Sequence, residues 1–183
     1  MVKSYPLGLL GPRVHFLVGL PMDRNVFPRA WVFDRIGPYA SRLSLKHTNF
    51  PDASICAFSQ SSDAWGPNDG LLALVDHYST WVIKSWHRET FGWWPGPQFG
   101  ERAFYRRREF DGREWCGCQS GKRYAVCHQG ADLIVNDDVA RREFLRDFPT
   151  GYESREIPDC VFEAARTNWK KLPSLVQVFS GHC

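Results

Sequence analysis

The sequence predicts an α+β fold, an antiparallel meander packed on helices and followed by a cysteine-bearing extension. Three observations predict it. Short β-rich runs separated by Pro/Gly breakers fill the first part of the chain, a long segment of helical periodicity follows, and past Gly100 the chain turns charged, aromatic and cysteine-rich.

The β-rich runs are "VHFLVGL" (14–20), "AWVFDRI" (30–36) after the breaker "PMDRNVFP", and "LSLKH" (43–47) after "GPYAS". Parallel neighbours would need crossover segments, and the intervening loops are too short for them, so the strands are expected to meander antiparallel. The next stretch, "GLLALVDHYSTWVIKSWHRE", places Leu71, Leu74, Val75, Tyr78, Trp81, Val82 and Trp86 at three- and four-residue steps. A stripe this wide is expected to lie across one face of the meander. Asn68 or Asp69 stands where it can cap the first turn, and the glycines and prolines of "FGWWPGPQFG" cannot continue a helix. His77 and His87 are read as surface or helix-edge packing.

In the extension, "ERAFYRRREFDGREW" reads as a hairpin turning at Asp111 and Gly112, with Arg106 to Arg108 as a solvated surface turn. "NDDVARREFLRDF" reads as an amphipathic helix capped by Asn136 or Asp137. "PDCVFEAARTNWKKL" reads as another, with Pro158 and Asp159 suited to its first turn, and "PSLVQVFSGHC" as a last strand. This divides the chain into a core over 1–100 and an extension over 101–183 whose C-terminal helices pack on the core.

Composition narrows the function. With 23 Lys+Arg against 20 Asp+Glu, the net charge of +3 is too small to argue for a nucleic-acid partner. No stretch approaches the ~20 apolar residues that span a bilayer, and "MVKSYPLGLLGP" lacks the apolar run and cleavage site of a signal peptide. A cytoplasmic location is expected, where thiols stay reduced. Six cysteines in that setting point to metal ligation or catalysis before disulfides, with Cys160 and Cys183 read as packing or tail residues.

"CGCQSGKRYAVCH" (116–128) crowds four soft-metal ligands, Cys116, Cys118, Cys127 and His128, into a short loop. Three thiolates and an imidazole can complete a tetrahedral zinc shell, and glycines let the loop turn round the ion. A filled shell with no position for water implies a structural zinc that stabilises a module too small to bury its own core. The segment resembles the SEC-C motif, C.C.SGKKY..CC or its CH variant. Cys116, Cys118, Ser120, Gly121, Lys122, Tyr124, Cys127 and His128 agree with it, and Gln119 stands where glycine is usual.

Cys56 stands apart, in "HTNFPDASICAF" (47–58). A nucleophilic cysteine needs an accessible, stabilised thiolate and donors for the oxyanion formed at an attacked acyl carbon; the amide of Asn49 is a candidate donor. From spacing alone a packed structural cysteine is the better reading. The order "VFPRAWVF", "HTN", "SIC", "WGP" and then a helix resembles the core of a ubiquitin-conjugating enzyme, over roughly residues 14–95. Val26 to Phe33 match its edge with Pro28 as the proline, His47 and Asn49 the ends of its HPN tripeptide, Ile55 and Cys56 its active-site pair, and Trp65 and Pro67 its W.P turn; Thr48 replaces the tripeptide's proline.

The resemblance implies a ubiquitin-conjugating-type meander with a zinc-stapled extension, and a thioester-forming acyltransferase. Cys56 would be the nucleophile. Asn49 would stabilise the oxyanion, directly or by shaping the loop, and His47 would pin the loop by hydrogen bonding rather than act as a base. The trimmed form resembles the conjugating-enzyme-like proteins of bacterial short type II CBASS antiphage systems. That implies as partners the C-terminus of a cGAS-like nucleotidyltransferase, held on Cys56, and a lysine-bearing acceptor protein. The alternative is a catalytically inactive binding or adaptor module with a structural zinc site.

Overall fold

The structure is a computed structural model that describes residues 2–3, 14–20, 27–58, 64–147 and 155–167. The leading "SYPLGLLGP", Val26, the last strand "PSLVQVFSGHC" and Cys183 lie outside the described residues. The fold is α+β. It forms two compact units, residues 1–55 with 155–183 and residues 56–154, a division different from a cut near residue 100. Among the described residues no helix is long and apolar enough to cross a membrane.

The first unit holds an antiparallel sheet whose strands lie side by side in sequence order: β1 (Val2–Lys3), β2 (His15–Gly19), β3 (Arg29–Arg35) and β4 (Ser41–Arg42). β2 and β3 pair from His15↔Phe33 to Gly19↔Arg29. The third expected strand, 43–47, is not a strand: β4 is the two residues before it, Ser41–Arg42, and 43–47 bends and turns. Local polar side chains compete there with a ladder. Ser44 Oγ accepts the Lys46 N–H at 3.2 Å, and Thr48 Oγ1 donates to the Leu45 carbonyl at 2.7 Å.

A helix from the far end of the chain, Asp159–Arg166, closes this unit. Its Val161 and Ala165 pack with Ile157 against Phe33 and Ala53. Gly37, at φ +101° where a side chain would be strained, donates its N–H to the Ala165 carbonyl at 2.7 Å. Cys160 packs against the same cluster and is disulfide-bonded, which departs from the expectation of reduced thiols.

In the second unit the first helix in chain order, α1 (Gly70–Phe91), follows a 3-10 turn at Pro67–Asp69. Asp69 Oδ2 accepts the Gly66 N–H at 2.7 Å, so the acid closes the 3-10 turn rather than capping α1. Leu74, Tyr78, Trp81 and Val82 are buried, while Leu71 and Trp86 are exposed, a narrower stripe than expected. Trp81 meets Trp94 edge-on at 6.0 Å, and Gly92, left-handed, donates to the Arg88 carbonyl to end the helix. His77 and His87 bond the Ala64 and Trp93 carbonyls at 3.0 Å each.

The hairpin expected across Asp111 and Gly112 is instead a helix, α2 (Ala103–Glu109), followed by a turn. Ala, Arg and Glu favour helix, and the helix buries Phe104, Arg106 and Glu109 together. Arg106 is therefore a core residue and not part of a solvated turn. Two more helices follow, α3 (Gln129–Ile134) and α4 (Asp137–Asp147). Asn136 Oδ1 accepts the Asp138 N–H at 2.9 Å, and Phe104 of α2 stacks on Phe144 of α4 at 4.7 Å. The last helix, Asp159–Arg166, is α5.

Phe33 is fully buried where the sheet meets α5. Phe33→Ala is expected to cost about 3–5 kcal/mol, read as a lowered urea midpoint.

Candidate functional site

The cysteine-rich loop is built as two paired arms round a tight turn. Cys116 N–H donates to the Lys122 carbonyl and Tyr124 N–H to the Glu114 carbonyl, each at 2.8 Å, with a bridge between Trp115 and Arg123. Hairpin-like pairing thus occurs one loop later than the sequence suggested. At the tip, Gln119 has φ +64° and Gly121 φ +71°. The left-handed backbone at Gln119 explains why glycine is usual at that place in the motif. Gly117 answers a different demand: a Cβ there would stand 2.4 Å from the Gly100 nitrogen and 2.7 Å from Phe110 Cζ.

The ligand atoms of Cys116, Cys118, Cys127 and His128 all lie within 4.8 Å of one another, and the four could hold a metal ion. Cys118 Sγ and Cys127 Sγ are 3.6 Å apart. His128 Nδ1 lies 3.3 Å from Cys116 Sγ and 3.2 Å from Cys127 Sγ. A tetrahedral ion bound at ~2.3 Å to sulfur and ~2.0 Å to nitrogen needs edges of roughly 3.8 and 3.5 Å, so the donors fit such a shell with little movement. The adjacent ligands are reconciled by a bend, because Cys127 ends the 3-10 turn Tyr124–Val126 and His128 opens α3.

Protons are distributed unevenly over the thiols. Burial pushes the Cys116 thiol up to about 11, whereas hydrogen bonds from the Ser120 side chain and backbone bring Cys118 down to about 6. Ser120 Oγ also lies 3.2 Å from Cys127 Sγ.

Behind the ligands stand groups that motif spacing did not disclose. Arg106 Nε and Nη2 donate to Asp132 at 2.7 and 2.6 Å, and Arg106 Nη1 donates to the Gly100 and Glu101 carbonyls. Tyr124 donates its hydroxyl to Asp132 Oδ2 at 3.0 Å. Burial opposes ionisation of Asp132, but the bonds from Arg106 and Tyr124 and the charge of Arg106 outweigh it and hold the carboxyl below its usual range. Glu114, fully buried, accepts the Trp94 N–H at 2.7 Å and the Gln98 amide at 3.0 Å. The visible signal was an acid, Asp132, lodged in the otherwise apolar "ADLIV".

The loop that carries His47 and Asn49 belongs to the first unit. His47 is buried at φ +55°, and Thr48 is buried beside it. Asn49 Nδ2 donates to Ser54 Oγ at 3.1 Å and to the Ile55 carbonyl at 3.0 Å. Ser54 Oγ donates in turn to Asp52 Oδ1 at 2.9 Å, and Asp52 pairs with Arg29. Ile55 N–H donates to the Ala30 carbonyl at 2.7 Å, which fastens the loop's end to β3. Asp52 and Ser54 were readable as an Asx turn in "PDAS", since Asp52 Oδ1 also accepts the Ser54 N–H.

Cys56 opens the second unit as a half-buried thiol, outside the metal-ligand cluster. Comparison of the chain with models of protein families, with curated proteins and with solved structures finds no match.

Asp132→Ala would leave the Arg106 guanidinium buried without its counter-ion. A loss of about 3–5 kcal/mol is expected, measured by urea unfolding of the chain.

Proposed function

We propose that the chain is a ubiquitin-conjugating-like acyltransferase that holds a protein C-terminus on Cys56 and passes it to an amine. The observation that carries the reading is the loop before Cys56, where Asn49 spends both amide hydrogens on Ser54 Oγ and the Ile55 carbonyl. Such bonding supports the loop-shaping role for Asn49. The buried His47 suits the pinning role rather than that of a base. The antiparallel sheet, the Trp65 turn and the long helix α1 agree with the order that the resemblance requires.

In the first step the Cys56 thiolate attacks the carbonyl of an activated C-terminus, a C–S bond forms, and the activating group leaves. In the second, a lysine amine attacks the thioester, the C–S bond breaks, and an amide and the Cys56 thiol result. The donor is the C-terminal tail of a cGAS-like nucleotidyltransferase and the acceptor a lysine-bearing protein, in antiphage defence within the cytoplasm.

A synthetic thioester of the donor's C-terminal peptide tests this without an activating enzyme. A thiol-sensitive adduct is expected on non-reducing gels and absent from Cys56→Ala. No adduct, or one that survives Cys56→Ala, overturns the reading. An adaptor is the second reading, favoured by apolar side chains beside the ligand loop that are open to solvent: Val126, Leu133 and Ile134 are 75%, 65% and 85% exposed.

The metal in either reading is zinc, because three thiolates and an imidazole suit a soft, tetrahedral dication. With four protein ligands the ion has no position for substrate, so its role is structural. The purified chain is expected to carry one equivalent of zinc by mass spectrometry of the metal, and Cys118→Ser to lose most of it and unfold earlier on heating. A metal-free wild-type chain of unchanged melting temperature would refute it.

A further inference from the structure

Two residues beyond Cys56, Phe58 enters an aromatic cluster that the proposed chemistry leaves unused. Phe58 packs on His77 of α1 with ring centroids 5.1 Å apart and on Trp65 at 6.5 Å. The same imidazole places Nε2 3.0 Å from the Ala64 carbonyl. A carbonyl oxygen only accepts, so Nε2 carries the proton in this bond. Trp65, 7% exposed, donates Nε1–H to the Gly70 carbonyl at 3.0 Å and fixes its own stretch to the start of α1.

One side chain therefore holds two separate stretches of chain, Phe58 by its ring and Ala64 by its N–H. Its platform does not yield easily: the neighbours Leu74, Tyr78 and Trp81 anchor this part of α1 in the core. Only one residue, Ala57, stands between Cys56 and Phe58, so few soft torsions separate the sulfur from the clamped ring.

We propose that His77 is a positioning residue for Cys56: by clamping Phe58 and Ala64 to α1, it sets the backbone on which the thiol is presented. The functional meaning rests on the reading of Cys56 as nucleophile, but the clamp itself is a physical statement that can be tested apart from it. His77→Phe keeps a ring against Phe58 and loses the bond to Ala64. His77→Gln keeps an N–H donor of similar reach and loses the ring, and His77→Ala loses both.

The test is the rate at which iodoacetamide alkylates Cys56 in the full-length, zinc-loaded chain, read peptide by peptide by mass spectrometry. His77→Ala is expected to raise the Cys56 rate several-fold while Cys116 stays protected, with the Phe and Gln variants falling between it and wild type. A Cys56 rate in His77→Ala equal to or below that of wild type overturns the clamp. Should Cys116 in His77→Ala also become reactive, the variant has unfolded, and the Phe and Gln variants decide: raised Cys56 rates with Cys116 protected uphold the clamp, and unchanged rates overturn it. The thioester peptide separates the two claims, because a wild-type Cys56 that takes no acyl group defeats the transferase reading while the labelling ratios still judge His77.

Discussion

The cysteine-bearing unit depends on a guanidinium withdrawn from water. Arg106 is 6% exposed, and a buried charge is tolerable only where its donors are met and an opposite charge lies close. Asp132 supplies the charge and two oxygens, and the Gly100 and Glu101 carbonyls take the remaining nitrogen. Because Tyr124 donates to the same carboxylate, one ionic centre ties α2, α3, the chain at Gly100 and the second arm of the ligand loop. The apolar contribution nearby is small, a cluster of Phe110, Cys116 and Tyr124. Polar satisfaction, more than apolar area, gives this loop a defined shape.

The loop of the first unit obeys the same constraint with mostly neutral groups. Its buried backbone runs between β4 and the tie to β3 without a continuous ladder partner, so its polar groups turn to side chains. Asn49 answers from within the loop, and Ser54 and Asp52 relay its bonding to Arg29. Thr48, where the resemblance expects proline, uses its hydroxyl to bond the Leu45 carbonyl and pairs across to Ile55. A proline would have stiffened the backbone; threonine instead secures the loop by a hydrogen bond.

What was legible in the sequence follows from the range of the interactions concerned. β2, β3 and α1 were readable because their apolar residues recur at the period of their own element, and the four candidate metal ligands because they sit within a span of thirteen residues. Arg106 was misread because its partner, Asp132, is 26 positions away, and a run of arginines carries no sign of which one is buried. The helical state of 103–109 had a local signal in its Ala, Arg and Glu, which the turn residues Asp111 and Gly112 outweighed in the reading. The turn at 43–47, read as a strand, had a local signal in Ser44 and Thr48, which the apolar alternation of "LSLKH" overrode. The division into units was hidden because α5 returns to β3 from more than a hundred positions away.

The Cys/His cluster and the ionic centre lie at different parts of one loop. Arg106, Asp132 and Tyr124 hold the base of the arms, whereas the tip is left-handed at Gln119 and Gly121, and a Cβ at Gly121 would meet nothing within 4 Å. Cys118, Cys127 and His128 could hold an ion there, and such an ion would close the tip. The Cys118 thiol, brought down to about 6, offers a thiolate at neutral pH. Burial pushes the Cys116 thiol up to about 11, so its thiolate would need a cation beside it. Metal binding would therefore release a proton at the buried end of the site, where the ion's own charge would offset that of the buried thiolate.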